Sequence, residues 1–209
     1  MVRLARFSAD AFVDATLALV AEGGPSAASM AAIARKVGAP TGSIYHRFES
    51  RSAILATAWL DCHERFAQRL APPLRAGQGL DAALSIVAWA RADRRRARFL
   101  LLNEIEALLE DPVPEPLQAR VQQQQTALDA AFDAYLARQP ARAGDDAREA
   151  TARAKFLIFD GPIALLRPHL LADANPPSFL DEMITDMHRG LDGDKPDRTL
   201  LTSGGRRVA

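Results

Sequence analysis

One cysteine, Cys62, is all that the 209 residues contain, so no disulfide can close within the chain. That fits a reducing compartment. The first residues include two arginines and some apolar side chains, but Asp10 and Asp14 interrupt anything like a secretory signal. No uninterrupted apolar run approaches the roughly 20 residues that cross a bilayer. These absences predict a cytoplasmic protein with no membrane partner. Net charge is lacking too: 26 basic residues balance 26 acidic ones. Any attraction to a polyanion must therefore come from a local face. Aromatic residues make up only 6% of the chain. His63, His169 and His188 are scattered, which predicts no metal site. A nucleophile pattern of Ser, His and Asp and a glycine-rich phosphate loop are both missing. The expectation is a chain that is no enzyme and carries no cofactor.

What is present is apolar content of 48%, ample for a buried core. Apolar residues recur at helical spacing, and alternating β-branched runs are missing, so the fold class is all-α. A first helix runs from Ser8, a good N-cap, to Glu22, with Phe12, Leu17 and Val20 inward and Gly23-Gly24-Pro25 as its stop. A second begins near Ser29, stacks Ile33 on Val37 and ends at Gly38. "GAPTGSIYHRF", residues 38–48, then supplies a tight turn and a very short third helix. Ser50 or Ser52 can cap a fourth helix reaching about Leu70, where Ala71-Pro72-Pro73 ends it.

Beyond Gly77-Gln78-Gly79, helices are expected over about 80–92 and 94–110, the latter broken near Asn103. Asp111-Pro112-Val113-Pro114 interrupts the chain before a long helix from Glu115 to about Arg138. The run Gln122 to Gln125 on that helix reads as a solvated face. A helix from Asp145 to about Leu171 should kink at Gly161-Pro162, and a last one spans about Ser178 to Leu191. This divides the chain into a head at 1–51, a larger helical domain at 52–193 whose first helix is the connector, and a flexible tail at 194–209. Arg94-Arg95-Arg96 reads either as a second phosphate site or as a charged turn opening a helix; the turn is favoured.

Two helices joined by a short glycine-containing turn, the second one short, form a helix-turn-helix pattern. On a helical wheel Ile44 and Phe48 share the inward side of the third helix, while Gly42, Ser43 and His46 lie opposite, flanked by Tyr45 and Arg47. Gly42 would let another backbone approach closely. Hydroxyl, imidazole and guanidinium are groups that reach phosphate oxygens and base edges. Residues 1–51 carry six basic against four acidic residues, a net +2 of the right sign.

The stretch from Phe7 to Trp59 resembles the N-terminal domain of TetR-family transcriptional regulators. The likeness lies in "SMAAIARKVG", "APTGSIYHRF" and "ESRSAIL", and in the order Gly42-x-Ile44-Tyr45-x-x-Phe48-x-Ser50-Arg51. The resemblance covers about the first quarter of the chain. It implies that Tyr45 and His46 contact phosphates and that Thr41, Gly42 and Ser43 approach bases, with Arg47 on their flank. It implies that Ser29 and Met30 offer backbone N–H groups to a phosphate, and that Arg51 touches the DNA backbone where the family usually has lysine. Two departures stand out. Pro40 replaces a common serine or threonine, and Ser52 replaces a frequent acidic residue.

The resemblance further implies double-stranded DNA as a partner, a homodimer, and an unidentified small-molecule effector held by the larger domain. Candidate pocket residues are Trp59, Phe66, Trp89, Phe99, Leu102, Asn103, Phe132, Phe156 and Phe159, with Glu104 as a further polar partner. Candidate dimer residues are Ile163, Leu166, Leu170, Phe179, Met183, Ile184 and Met187. The function expected is that of a repressor relieved by a ligand and bound to a palindromic operator. The rival readings are an all-helical enzyme and a helix-turn-helix adaptor that no longer binds DNA.

Overall fold

The computed structural model describes residues 7–140 and 146–192; the expected tail at 194–209 lies outside them. Among these residues every regular element is helical, arranged as a small N-terminal head and a larger C-terminal domain. The head holds α1 (Ala9–Gly23), a 3₁₀ turn (Pro25–Ala27), α2 (Met30–Val37) and α3 (Thr41–Tyr45). The long α4 (Arg51–Arg75) leads out of it. Then follow α5 (Gly79–Ala92), α6 (Arg94–Leu101), α7 (Ile105–Leu108), α8 (Glu115–Leu136), α9 (Ala147–Lys155), α10 (Gly161–Leu171) and α11 (Phe179–Asp192).

Local chemistry sets most boundaries in the head. The Ser8, Ser29 and Ser50 hydroxyls each accept a backbone N–H three residues on, at 3.1 Å, to start α1, α2 and α4. Caps of this kind contribute about 1 kcal/mol each. Gly38 closes α2 in the left-handed region, at φ 73°, with Ala39 N–H donating to Ala34 O at 2.9 Å. This is the Schellman arrangement, in which a Cβ would be strained. The serine at 52 does not cap. Its hydroxyl donates instead to Pro112 O at 2.7 Å, across 60 residues of sequence.

Two proline-containing segments depart from expectation. α4 does not stop near Leu70 but continues through Pro72 and Pro73 to Arg75. The prolines withhold donors only from the carbonyls of Gln68 and Arg69, which lie on the exposed side. Leu70 and Leu74, both fully buried, hold the final turns against the core. The chain then turns at Gly77, φ 77°, and α5 begins two residues on, at Gly79. The second case is Pro162. Just before it, residues 156–160 widen into a π turn between α9 and α10. A wider turn absorbs the donor that proline lacks.

Two apolar clusters organise these helices. The first gathers Phe12, Leu17, Ile33, Ile44, Ile54 and Leu55 from the head and α4, and it reaches Phe99, Leu108 and Val121 in the larger domain. The second gathers Phe66, Leu70, Leu74, Ile86, Trp89, Tyr135, Ile158, Leu166 and Ile184. Each buried large side chain contributes about 1.5–3 kcal/mol. α4 supplies both clusters, with the changeover between Cys62 and Phe66. At the α5 N-terminus the packing is tight enough that a Cβ on Gly79 would fall 2.6 Å from the Tyr135 hydroxyl and 3.0 Å from its ring. Gly79→Ala is expected to lower the unfolding free energy by about 1–3 kcal/mol through overpacking, as measured by urea denaturation.

Candidate nucleic-acid interface

α3 begins at Pro40, which has no side-chain acceptor to offer the helix. The first bond is instead from Ser43 N–H to Pro40 O at 2.8 Å. Its inward side is filled by Ile44, fully buried, while Phe48 just beyond closes the same pocket. With that side fixed, Thr41, Gly42, Tyr45, His46 and Arg47 are all exposed, and Ser43 is half-buried. Tyr45 is 56% exposed, unusual for an aromatic side chain in a chain so sparing of them. A Cβ placed on Gly42 would meet nothing within 4 Å, so nothing inside the chain requires glycine there. The residue is small on a face that touches only solvent.

The start of α2 belongs to the same head. Ser29 Oγ accepts from Ala32 N–H, and Ser29 O receives Ile33 N–H at 2.9 Å. Among the described residues the N–H groups of Met30 and Ala31 have no partner, as at the N-terminus of any helix. The Met30 side chain itself is buried. Only its backbone is available.

Arg51 is placed differently from its expected role. Its Nε donates to Ala28 O at 3.1 Å and its Nη2 to Pro25 O at 2.6 Å, while Nη1 pairs with Asp111 at 3.7 Å. The guanidinium is spent on tying α4 to the α1–α2 connection and to the segment before α8. A group with its fork so occupied positions the head; it does not extend from it.

The head is fastened at a second point that the sequence left unassigned. Arg96, at the start of α6, reaches Asp61 on α4 at 2.7 Å, Asp93 at 2.7 Å and Asp14 on α1 at 3.4 Å, each through a different nitrogen. Arg98 donates to Ala21 O at the end of α1 at 2.5 Å and pairs with Asp173 at 2.9 Å. Of the arginine triplet, Arg94 also binds Asp173, and Arg95 is exposed. The charged turn is thus a brace between helices.

Residues 12–58 match the model for bacterial regulatory proteins of the tetR family. The head is similar to the tetR-family domain over those residues. Around it the whole fold agrees: a TetR-like transcriptional regulator from Rhodococcus sp. RHA1 superposes with a TM-score of 0.64, over 93% of this chain and 100% of that one, at 17% identity. The fatty acid degradation regulator FadR from Bacillus halodurans gives 0.62 over 88% and 94%, also at 17% identity. A tetR-family member from Streptomyces coelicolor A3 gives 0.55 over 85% and 96%, at 20% identity. At such identities the likeness is one of fold. No curated protein matches the sequence.

The residues expected to line an effector pocket take part in several separate contacts among the described residues. Trp59 stacks on His63 with ring centroids 4.3 Å apart, Phe66 meets Trp89 edge-on at 5.2 Å, and Phe132 meets Phe159 at 5.5 Å. Phe99 is fully buried in the first cluster. Leu102 is half-buried and packs against the second. Asn103 spends its amide on the Arg98 and Phe99 carbonyls, at 3.3 and 2.9 Å, where it ends α6. Glu104 is exposed at the start of α7. Phe156 sits on the π turn and is 45% exposed, so it faces out of the core and lines nothing inside it. A groove of about 420 Å³ opens elsewhere, between α7, the segment 109–113 and α8. Its apolar lining is Ile105, Leu109, Pro112, Val113 and Val121; its polar lining is Glu106, Glu110, Asp111, Gln118, Gln122 and Gln125. None of the nine expected residues is on that wall.

The expected dimer residues divide in two. Leu166, Leu170 and Ile184 are fully buried within the single chain, where α10 and α11 pack on α5, so they have no surface left for a partner. Ile163 and Met187 are half-buried. Met187 lies against Gly161, where a Cβ would fall 2.7 Å from its Cε. Phe179 and Met183 are exposed on α11, and Leu171 at the end of α10 and Phe156 on the π turn are further exposed apolar residues.

The brace at Arg96 carries a pH signature. Burial alone would raise the Asp61 carboxyl, but hydrogen bonds from Arg96 and Arg65 outweigh it and hold the pKa below its ordinary 3.8. A depressed folded-state pKa contributes stability that is complete above the unfolded value and lost as pH falls through the folded one. Asp61→Asn is therefore expected to be less stable than wild type at pH 7, by no more than about 1 kcal/mol for so solvent-screened a pair. The gap should close below the ordinary carboxylate pKa. Urea denaturation of both proteins between pH 7 and pH 2.5 measures it.

Proposed function

We propose that the chain is a sequence-specific repressor that binds a palindromic operator as a homodimer and is released by a small-molecule effector. The observation that carries the reading is the two-sidedness of α3. Ile44 and Phe48 are consumed by the core, and Thr41, Gly42, Tyr45, His46 and Arg47 are left outward with no structural duty. On this reading Thr41, Gly42 and Ser43 approach base edges in the major groove, and Tyr45, His46 and Arg47 hold phosphates. The free N–H groups at Met30 and Ala31 supply a further phosphate contact. Arg51 works indirectly, by setting the angle of the head on α4.

The exposed apolar side chains Phe179 and Met183 support a dimer built on α11, with Phe156 and Leu171 at its margin. Two heads about one DNA turn apart then read successive half-sites. An effector that prefers a different setting of α4 shifts the population off DNA by its differential affinity.

Mobility shift of the ligand-free protein on its own upstream DNA, over several salt concentrations, tests the reading. Specific binding with a steep salt dependence is expected. Arg47→Ala should reduce the salt slope by about 1 and weaken binding evenly across sequences. Gly42→Ala should keep full thermal stability yet weaken binding, since the added methyl meets only the DNA. Absence of specific binding at low salt from a folded dimer would overturn the proposal.

A further inference from the structure

The groove between α7 and α8 has a definite chemical character. Ile105, Leu109 and Val121 form an apolar floor, and Glu106, Glu110 and Asp111 stand around it, with no lysine or arginine on the wall. Among the described residues Glu106 and Glu110 have no ion-pair partner, and Asp111 has only Arg51, at 3.7 Å. The volume of about 420 Å³ is that of a small-molecule site. We infer that this groove is the effector site and that its ligand is a lipophilic organic cation.

This deepens the effector reading given above and rests on it. An apolar body gains from covering the floor. A positive centre is attracted by three carboxylates that otherwise repel one another across the groove. An anion of the same shape meets the reverse field, and a neutral molecule gains from the floor alone. A small inorganic cation is not favoured, because the carboxylates are spread around an apolar surface, and among the described residues no group of metal-ligating side chains converges.

The groove also lies where occupancy can be felt by the head. Its rim residue Asp111 is the partner of Arg51, whose other bonds hold Pro25 O and Ala28 O in the head. Its neighbour Pro112 accepts the Ser52 hydroxyl at the first turn of α4. A cation beside Asp111 competes with Arg51 for that carboxylate. The contact that sets the head on α4 weakens as the groove fills.

Isothermal titration calorimetry without DNA, using tetraphenylphosphonium as the probe and the isosteric anion tetraphenylborate as its control, decides the matter. The phosphonium should bind one per chain, more weakly as salt is raised, and the borate at least tenfold more weakly. The double variant Glu106→Gln/Glu110→Gln keeps shape and replaces two exposed carboxylates, so its circular dichroism should be unchanged and its phosphonium affinity should fall tenfold or more. Equal binding of the two probes, an unchanged affinity in the double variant, or no phosphonium binding at millimolar concentration would overturn the assignment. Because DNA is absent, a failure here is distinct from a failure to bind operator in the mobility shift.

Discussion

The structure depends on one constraint: α4 must belong to two hydrophobic cores at once. Ile54, Leu55 and Ala58 on its first turns complete the core of the head, and Phe66, Leu70 and Leu74 on its last turns complete that of the larger domain. A helix gripped at both ends transmits displacement because the packed interior on either side resists deformation. The head is not hung on a linker. Its cluster runs directly into Phe99, Leu108 and Val121, so the head and the domain behind it share interior.

Around this helix the polar contacts are placed at its upper half and aimed at the head. Arg51 reaches back to the α1–α2 connection and forward to Asp111, and Ser52 reaches Pro112. Arg96 and Arg98 on α6 hold α1 at Asp14 and Ala21. Several of these bonds end on backbone carbonyls, which stay put when side chains are changed. They fix distance and angle, while the apolar clusters supply the larger share of the free energy. Such an arrangement lets a modest change near residues 109–113 alter the setting of the head without dismantling a core.

Much of this was legible in the sequence where a local rule decides the outcome. The serine caps, the left-handed Gly38 and the inward pair Ile44 and Phe48 follow from spacing and residue type, and the head emerged from them with its outward face. Errors came where distant packing overrides a local signal. Pro72-Pro73 reads as a stop, yet buried Leu70 and Leu74 carry α4 past it. Gly161-Pro162 reads as a kink, and the chain widens a turn instead. Size is all that a sequence shows of the aromatic residues; in the fold Phe66 meets Trp89 and Phe132 meets Phe159. Arg51, matched by position to a DNA contact, turned out to lie within reach of three acceptors that no sequence pattern could have brought near. The groove at α7 and α8 was invisible for the same reason, since its carboxylates and its floor meet only after the chain has folded back.

α3 owes its form to what lies beneath it. Five residues starting from a proline make less than one and a half turns, too short to be stable alone. Its shape is borrowed from the pocket that holds Ile44 and Phe48, and so from Ile33 and Phe12 behind them. The outward surface of α3 is thus a cast of the core on its other side. Repacking that core by a methyl group would redraw that surface without altering one outward residue.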